Sequence, residues 1–268
     1  MPEPLRLLAV FPHPDDETLG LGGTLAKYSS EGVETYLVCA TRGERGWFDS
    51  LGPDPGLDEV GRLREAELRC AAQHLGLREV NFLGYLDGDV DQADPREIIG
   101  KIAAQIRRIR PQVVVTFSPD GAYGHPDHIA LSQFTNAAVV CAADSSFNPK
   151  DGPPHRVSKF YYMADSMDLV KGAIETFGGI SMEIDGVIRE HKGWQDWEIT
   201  SRFSTAEHME KVLAAVRCHR SQLPGYGPLG EMGADKLGWL FGEGTFYRAF
   251  SLVNGGRNVE TDLFEGLR

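Results

Sequence analysis

Two four-residue strings, His13-Pro14-Asp15-Asp16 and His125-Pro126-Asp127-His128, concentrate three imidazoles and three carboxylates in a few positions. Zinc accepts histidine nitrogen and carboxylate oxygen, and a hydrolytic site uses three such protein ligands and keeps a fourth position for water. His13, Asp16 and His128 supply two nitrogens and one oxygen, a set suited to that metal. Asp15, His125 and Asp127 are then left over. A spare carboxylate beside an activated water can take its proton, and a histidine oriented by its own carboxylate can polarise a carbonyl or protonate a leaving amine. The chemistry that these residue types imply is metal-dependent hydrolysis.

The spacing supports this reading. Proline disfavours the α region for the residue before it, so His13 and His125 are expected to be extended, with the chain turning just after them. Asp16 and His128 each follow three residues later and can face the same way. A lone His-Pro-Asp is an ordinary turn. Two copies, each after an apolar run and each with a further Asp or His in fourth place, point to a metal site.

The elements that must position these strings alternate. Residues 5–11 read as a buried strand, followed by a helix near 18–31 that Gly32 ends and a second strand over 33–40. Apolar positions at helical spacing over 58–75 end at Gly76, and residues 80–83 form a short strand. A helix over 95–109 stops before Pro111, strand 113–117 follows, and a helix near 128–143 comes after the second string. This order predicts an α/β, Rossmann-like, mostly parallel sheet with helices on both faces, whose sites gather beyond the carboxyl ends of the strands. The core spans about 5–145, with a looser C-terminal elaboration over about 155–268 in the same domain. There, residues 159–163, 180–184 and 246–253 read as strands and 205–221 as a helix, while 186–202 and 222–245 read as loops facing substrate or another subunit. The glycines at 20, 22 and 23 lack the dinucleotide-binding order and are expected to serve close packing.

Composition narrows the class further. The chain has 268 residues, 41% hydrophobic and 25% charged, as in ordinary globular proteins. A net charge of −12 without a basic cluster disfavours nucleic acid and anionic membranes as partners. The N-terminus lacks the pattern of a secretory signal, so a cytoplasmic setting is expected. Cys39, Cys70, Cys141 and Cys218 are widely spaced and form no CxxC pair, and are expected to be reduced, buried thiols with no disulfide framework. His74, His155, His191 and His208 read as surface or capping residues, whereas His219 could reach the site from the C-terminal half.

Residues 9–17, the Thr41-Arg42-Gly43-Glu44 run and residues 124–128 resemble the zinc-dependent LmbE-like / PIG-L de-N-acetylases. That family includes deacetylases of N-acetylglucosaminyl-inositol and N-acetylglucosaminyl-malate and the mycothiol-conjugate amidases. The resemblance spans about residues 5–135, with looser matches at 217–222 and 246–250. It implies one Zn2+ per subunit on His13, Asp16 and His128, a general base at Asp15, and an acid or intermediate-stabilising role for His125 held by Asp127. It further implies that Tyr123 helps hold the carbonyl oxygen, and that Arg64 and Asp87 contact the sugar. Glu44 is placed with them on the substrate side, with bracing of its loop as the alternative.

The expected reaction removes acetyl from a small N-acetylglucosamine-type substrate, whose aglycone stays open between malate, inositol and lipid. Two alternatives are an amidase for a larger thiol conjugate and a catalytically silent, metal-containing sugar-binding module. The silent module is disfavoured because Asp15 and His125 remain after ligation, whereas a structural site closes its coordination sphere. A homo-oligomer is left open, with Trp47, Trp194 and Trp197 as pocket or subunit contacts.

Overall fold

Leu7 through Phe11 are all 0% exposed, so the first strand has no solvent face, as a central parallel strand requires. The computed structural model describes residues 3–178, 181–184, 186–256 and 258–268. After β1 (Arg6–Phe11) come α1 (Asp16–Leu19), α2 (Gly22–Ser30), β2 (Glu34–Thr41), α3 (Leu57–Leu75), β3 (Glu79–Tyr85) and α4 (Pro95–Ile109). β4 (Val113–Phe117) leads through the kinked α5 (Gly121–Gly124) into α6 (Pro126–Ala143). The remainder supplies β5 (Lys159–Met163), α7 (Met167–Phe177), the hairpin of β6 (Ser181–Ile184) and β7 (Val187–Glu190), and β8 (Ser201–Ser204). It ends with α8 (Met209–Val216), α9 (Ala234–Phe241) and β9 (Glu243–Ser251).

Local signals set the main boundaries. Asp94 accepts the Glu97 amide and Pro95 opens α4, while α3 stops at Gly76, whose φ of 74° suits a residue without Cβ.

Seven strands form one sheet in the order β3-β2-β1-β4-β5-β9-β8. The pairs from β3 to β5 are parallel, and β9 and β8 join antiparallel. The strands of the C-terminal half therefore extend the same sheet. Alternate residues of β1 feed two cores. Leu7, Ala9 and Phe11 pack with Leu25, Leu68 and Val212 of α2, α3 and α8, and Leu8 and Val10 pack with Ile98, Ile102 and Ala138 of α4 and α6. Because β1 lies between β2 and β4, the chain leaves it in opposite directions, and a crevice opens at the carboxyl ends of β1 and β4. Each four-residue string begins there.

Several expectations are corrected. The helix expected over 18–31 breaks at Gly20 and Leu21. A Cβ at Gly20 would collide with Met163 and one at Gly23 with Thr205, so these glycines do serve close packing. The helix expected over 205–221 shortens to α8, because the chain turns sharply at its end to bring His219 inward. Segments 186–202 and 222–245 hold β7, β8, α9 and the start of β9, elements too short to leave a readable period. The last strand runs from Glu243 to Ser251. Ile180, placed in a strand by its sequence, lies outside the described residues.

The cysteine expectation is overturned for one pair. Cys70 of α3 and Cys218, just beyond α8, form a disulfide with a Cα–Cα distance of 5.7 Å across 148 residues of sequence. Sequence spacing carried no trace of it, because the packing of α8 on α3 alone brings the two together. Cys39 is a buried free thiol and Cys141 a half-buried one.

A buried polar cluster fastens the C-terminal tail. Glu260 is 1% exposed and accepts from Lys159 Nζ (2.6 Å), Tyr161 Oη (2.6 Å) and Ser201 Oγ (2.8 Å). Burial alone would raise its pKa, but these donors outweigh it and hold the Glu260 carboxyl at about 2. Among the described residues no helix is long and apolar enough to cross a membrane.

Candidate metal-centred active site

The crevice brings His13, Asp16 and His128 together. His13 Nδ1 lies 3.3 Å from His128 Nε2 and 3.5 Å from Asp16 Oδ2, and Asp16 Oδ1 lies 3.6 Å from His128 Nε2. Metal–ligand bonds of about 2.0–2.1 Å in a tetrahedron put ligand atoms roughly 3.3–3.4 Å apart, so these separations, the two to Asp16 ending on different carboxylate oxygens, have the scale of a zinc site. Electrostatics agree. Burial opposes a charge on His13, yet Asp127, Asp16 and Asp87 outweigh it and raise its pKa well above the ordinary value. Surroundings that favour a proton at that point also favour a cation replacing it. Burial and the neighbouring His13 and His125 keep His128 far below its usual pKa, hence neutral and able to ligate.

His13 is oriented from its other side. Its Nε2 stands 3.1 Å from both Asp127 Oδ2 and Asp87 Oδ1, so the proton sits on Nε2 and Nδ1 is left for the donor triangle. Asp127 is fully buried, and its carboxylate also accepts the amides of Gly88 (2.8 Å) and Val90 (3.1 Å). The expectation that this carboxylate holds His125 is corrected, because it is committed to His13 and to those two amides. His125 caps α6 by accepting the backbone amide of Asp127 at its Nδ1 (3.1 Å), so it is backbone geometry that orients the ring, with Nε2–H free to donate. Burial, and then the charge on His13, lower the His125 pKa to about 4.

Asp15 lies outside the donor triangle. Its Oδ2 accepts from Tyr226 Oη (2.8 Å) and from Arg64 Nη2 (3.2 Å), and its φ is 120°. Burial raises its pKa, against the opposing pull of Arg64. Glu17 secures the turn, accepting the Asp15 amide at Oε2 (2.9 Å) while its Oε1 meets His219 Nε2 (3.1 Å). Tyr123 Oη reaches to 3.5 Å from His128 Nε2, from a loop where Ala122 has a φ of 64°.

The residues expected to meet substrate are engaged with protein. Arg64 is buried and donates to Gly43 O (2.9 Å), Pro14 O (2.7 Å) and Asp15, and a Cβ at Gly43 would collide with its guanidinium. Asp87 faces His13 and accepts the Arg45 amide (3.1 Å). Glu44 accepts from Arg42 and from the Asp87 amide, which braces its loop against the end of β3. Glu44 and Leu86 also border an open depression of about 720 Å³ lined by Arg42, Leu57 and Arg62.

Sequence reading missed Tyr226, which lies in a stretch without period, and it placed His219 near the site without finding its partner Glu17. Of the histidines set aside, His74 is exposed, His155 donates to Pro111 O (2.7 Å) and His208 is half-buried. His191 departs from that expectation, since its side chain is 8% exposed and pairs with Asp165 (2.9 Å). Trp197 is exposed, Trp194 packs on Tyr247, and Trp47 donates to Gly52 O.

Comparison with known proteins adds the following. Residues 8–139 match the family PIG-L, described as GlcNAc-PI de-N-acetylase. The chain is 34% identical to the 1D-myo-inositol 2-acetamido-2-deoxy-alpha-D-glucopyranoside deacetylase of Streptomyces avermitilis, covering 98% of this chain and 97% of that protein. It is 33% identical to the enzyme of the same name from Geodermatophilus obscurus, covering 98% of each. Among solved structures, a conserved protein from Thermus thermophilus superposes with a TM-score of 0.66 at 28% identity, over 94% of this chain and 97% of that one. The N,N'-diacetylchitobiose deacetylase from Pyrococcus horikoshii shares the fold, with a TM-score of 0.68 at 23% identity over 91% and 83% of the two chains. On sequence similarity that runs nearly end to end, the chain belongs to the PIG-L family of hydrolytic de-N-acetylases.

Proposed function

We propose that this chain is a zinc-dependent deacetylase of N-acetylglucosaminyl conjugates, working as one catalytic domain in the cytoplasm. The observation that carries this reading is the donor triangle of His13, Asp16 and His128, 3.3–3.6 Å on edge, with the carboxylate of Asp15 beside it and outside it. The relatives' substrate, an N-acetylated glucosamine joined to inositol, supports a small amino-sugar conjugate here.

Bound on that triangle, zinc would acidify a water and polarise the acetyl carbonyl. Asp15 takes the water's proton. Arg64 and Tyr226 both bond its Oδ2, which leaves Oδ1 to receive it. Tyr123 Oη and His125 Nε2–H donate to the carbonyl oxygen as negative charge develops there. Protonated Asp15 then delivers its proton to the departing sugar amine, and acetate leaves, while His125, neutral with its pKa at about 4, serves the oxyanion and not the amine. Asp127 and Asp87 act through His13 by fixing its tautomer.

The test is acetate release from N-acetylglucosaminyl-inositol, N-acetylglucosaminyl-malate and free N-acetylglucosamine, assayed side by side with zinc present. A conjugate is expected to turn over fastest. Zinc-loaded protein that releases acetate from none of the three would overturn the reading.

A further inference from the structure

The Cys70–Cys218 disulfide is a covalent bond that the hydrolytic reaction does not use, and it lies at the root of the segment that holds Asp15. The hydrogen bonds of that segment to other elements reach the site, α3 and the loop after β2. His219 meets Glu17 at 3.1 Å, and Ser221 bonds Glu67 of α3 through both its amide (2.8 Å) and its hydroxyl (2.7 Å). Gln222 donates to Gly46 O (2.8 Å), and Tyr226 ends the run on Asp15 (2.8 Å). Residues 218–226 thus form a strap, and the disulfide anchors it to the helix that also carries Arg64, the other donor to Asp15. The two half-cystines differ in access, since the Cys70 residue is exposed and the Cys218 residue is 7% exposed.

We propose that Cys70–Cys218 is a thiol-exchange site, opened through Cys70 by a low-molecular-weight thiol, and that opening it slackens the strap holding Asp15. The attacking thiolate bonds Cys70 Sγ, the Cys70–Cys218 bond breaks, and its electron pair leaves on Cys218, which takes a proton from water. A second small thiolate attacks the small-thiol sulfur of the mixed disulfide, and Cys70 leaves as a thiolate that takes a proton from water. Two small thiols are oxidised to one disulfide, and the protein gains two electrons and two protons. Exchange proceeds at the sulfur an incoming thiolate can reach, which here is that of Cys70. Where thiols are kept reduced, bonds of this kind are transient and regulatory. The exchange site stands on geometry alone, and only its effect on turnover rests on the reading of Asp15 as base.

The test uses the full chain, with glutathione as the probe thiol. Digestion without reductant is expected to yield a peptide pair linked through Cys70 and Cys218. Treatment with glutathione is expected to give an adduct on Cys70 and none on Cys218. Amide hydrogen exchange over 218–226 is expected to quicken about tenfold or more on opening, with α4 unchanged. Cys218→Ser, which cannot close the bond, is expected to take the adduct on Cys70 from glutathione disulfide and to show the fast exchange throughout. Free thiols at both positions after oxidant treatment, an adduct on Cys218, or equal exchange in the open and closed forms would each overturn the proposal. Faster amide exchange with undiminished acetate release would leave the exchange site standing and overturn the strap's part in holding Asp15 for turnover, whereas the role of Asp15 itself is decided by Asp15→Asn.

Discussion

Tyr226 donates its hydroxyl proton to Asp15 across 211 residues of sequence, at 2.8 Å. The donor comes from the C-terminal half and the acceptor from the turn after β1, so the two halves of the chain meet on one carboxylate oxygen. Tyr226→Phe removes that bond and leaves the ring. If the bond orients the base, kcat is expected to fall about tenfold with KM nearly unchanged, since a bond to a charged group contributes roughly 1.5–3 kcal/mol. Equal losses in kcat and KM in the acetate assay would argue for a looser site instead.

Asp15→Asn keeps the shape of the side chain and removes its basicity. Metal content is expected to stay near wild type while turnover drops about 10²–10⁴-fold. His13→Ala removes a donor, and both metal and turnover are expected to go. Elemental analysis beside acetate release separates the two variants, and a near-wild-type rate for Asp15→Asn would show that the base lies elsewhere.

Asp127→Asn tests the support behind His13. Its carboxylate accepts from His13 and from two amides, so the amide variant places an NH2 group against donors. A loss of about 10–100-fold in zinc affinity is expected from a disturbed orienting partner. Competition with a chelator measures it, and an unchanged affinity would assign Asp127 to the loop alone.

Glu260 predicts a pH dependence of stability. Its carboxyl is held at about 2 against an ordinary value of 4.5, so the folded chain binds this proton later than the unfolded chain does. The stabilisation is complete above the unfolded value and is lost as pH falls from about 4.5 to about 2. It amounts to roughly 3 kcal/mol for such a shift on a buried group. Glu260→Gln is expected to unfold at lower urea at pH 7, with its gap to wild type closing through that window. A gap that ignores pH would mean that the charge on Glu260 is not what fastens the tail.

Local sequence carried the site only as far as local geometry decides it. A histidine before a proline and a partner three residues on must share a turn, so His13 with Asp16 and His125 with His128 were readable. The order of strands then placed the two turns at one crevice. The orientation of Asp127 was less readable, because its amide and its carboxylate serve different histidines, and only the helix start at Pro126 decides which. Arg64 was expected to contact the sugar, yet the glycines at 43 and 46 let its guanidinium in beneath the loop. Tyr226, the Glu17–His219 pair and the Cys70–Cys218 bond left no signal, since each joins segments more than 140 residues apart.

The φ of 120° at Asp15 reverses an ordinary ranking. In most settings alanine is the gentler replacement, because glycine loosens the unfolded chain. At this peptide an alanine Cβ keeps the torsional penalty of about 1–3 kcal/mol, while glycine discards it. Both substitutions forfeit the carboxylate equally, so Asp15→Gly is expected to melt above Asp15→Ala. The chain thus carries a side chain at a bend where having none would be easier, and thermal endurance is what the molecule gives up for it.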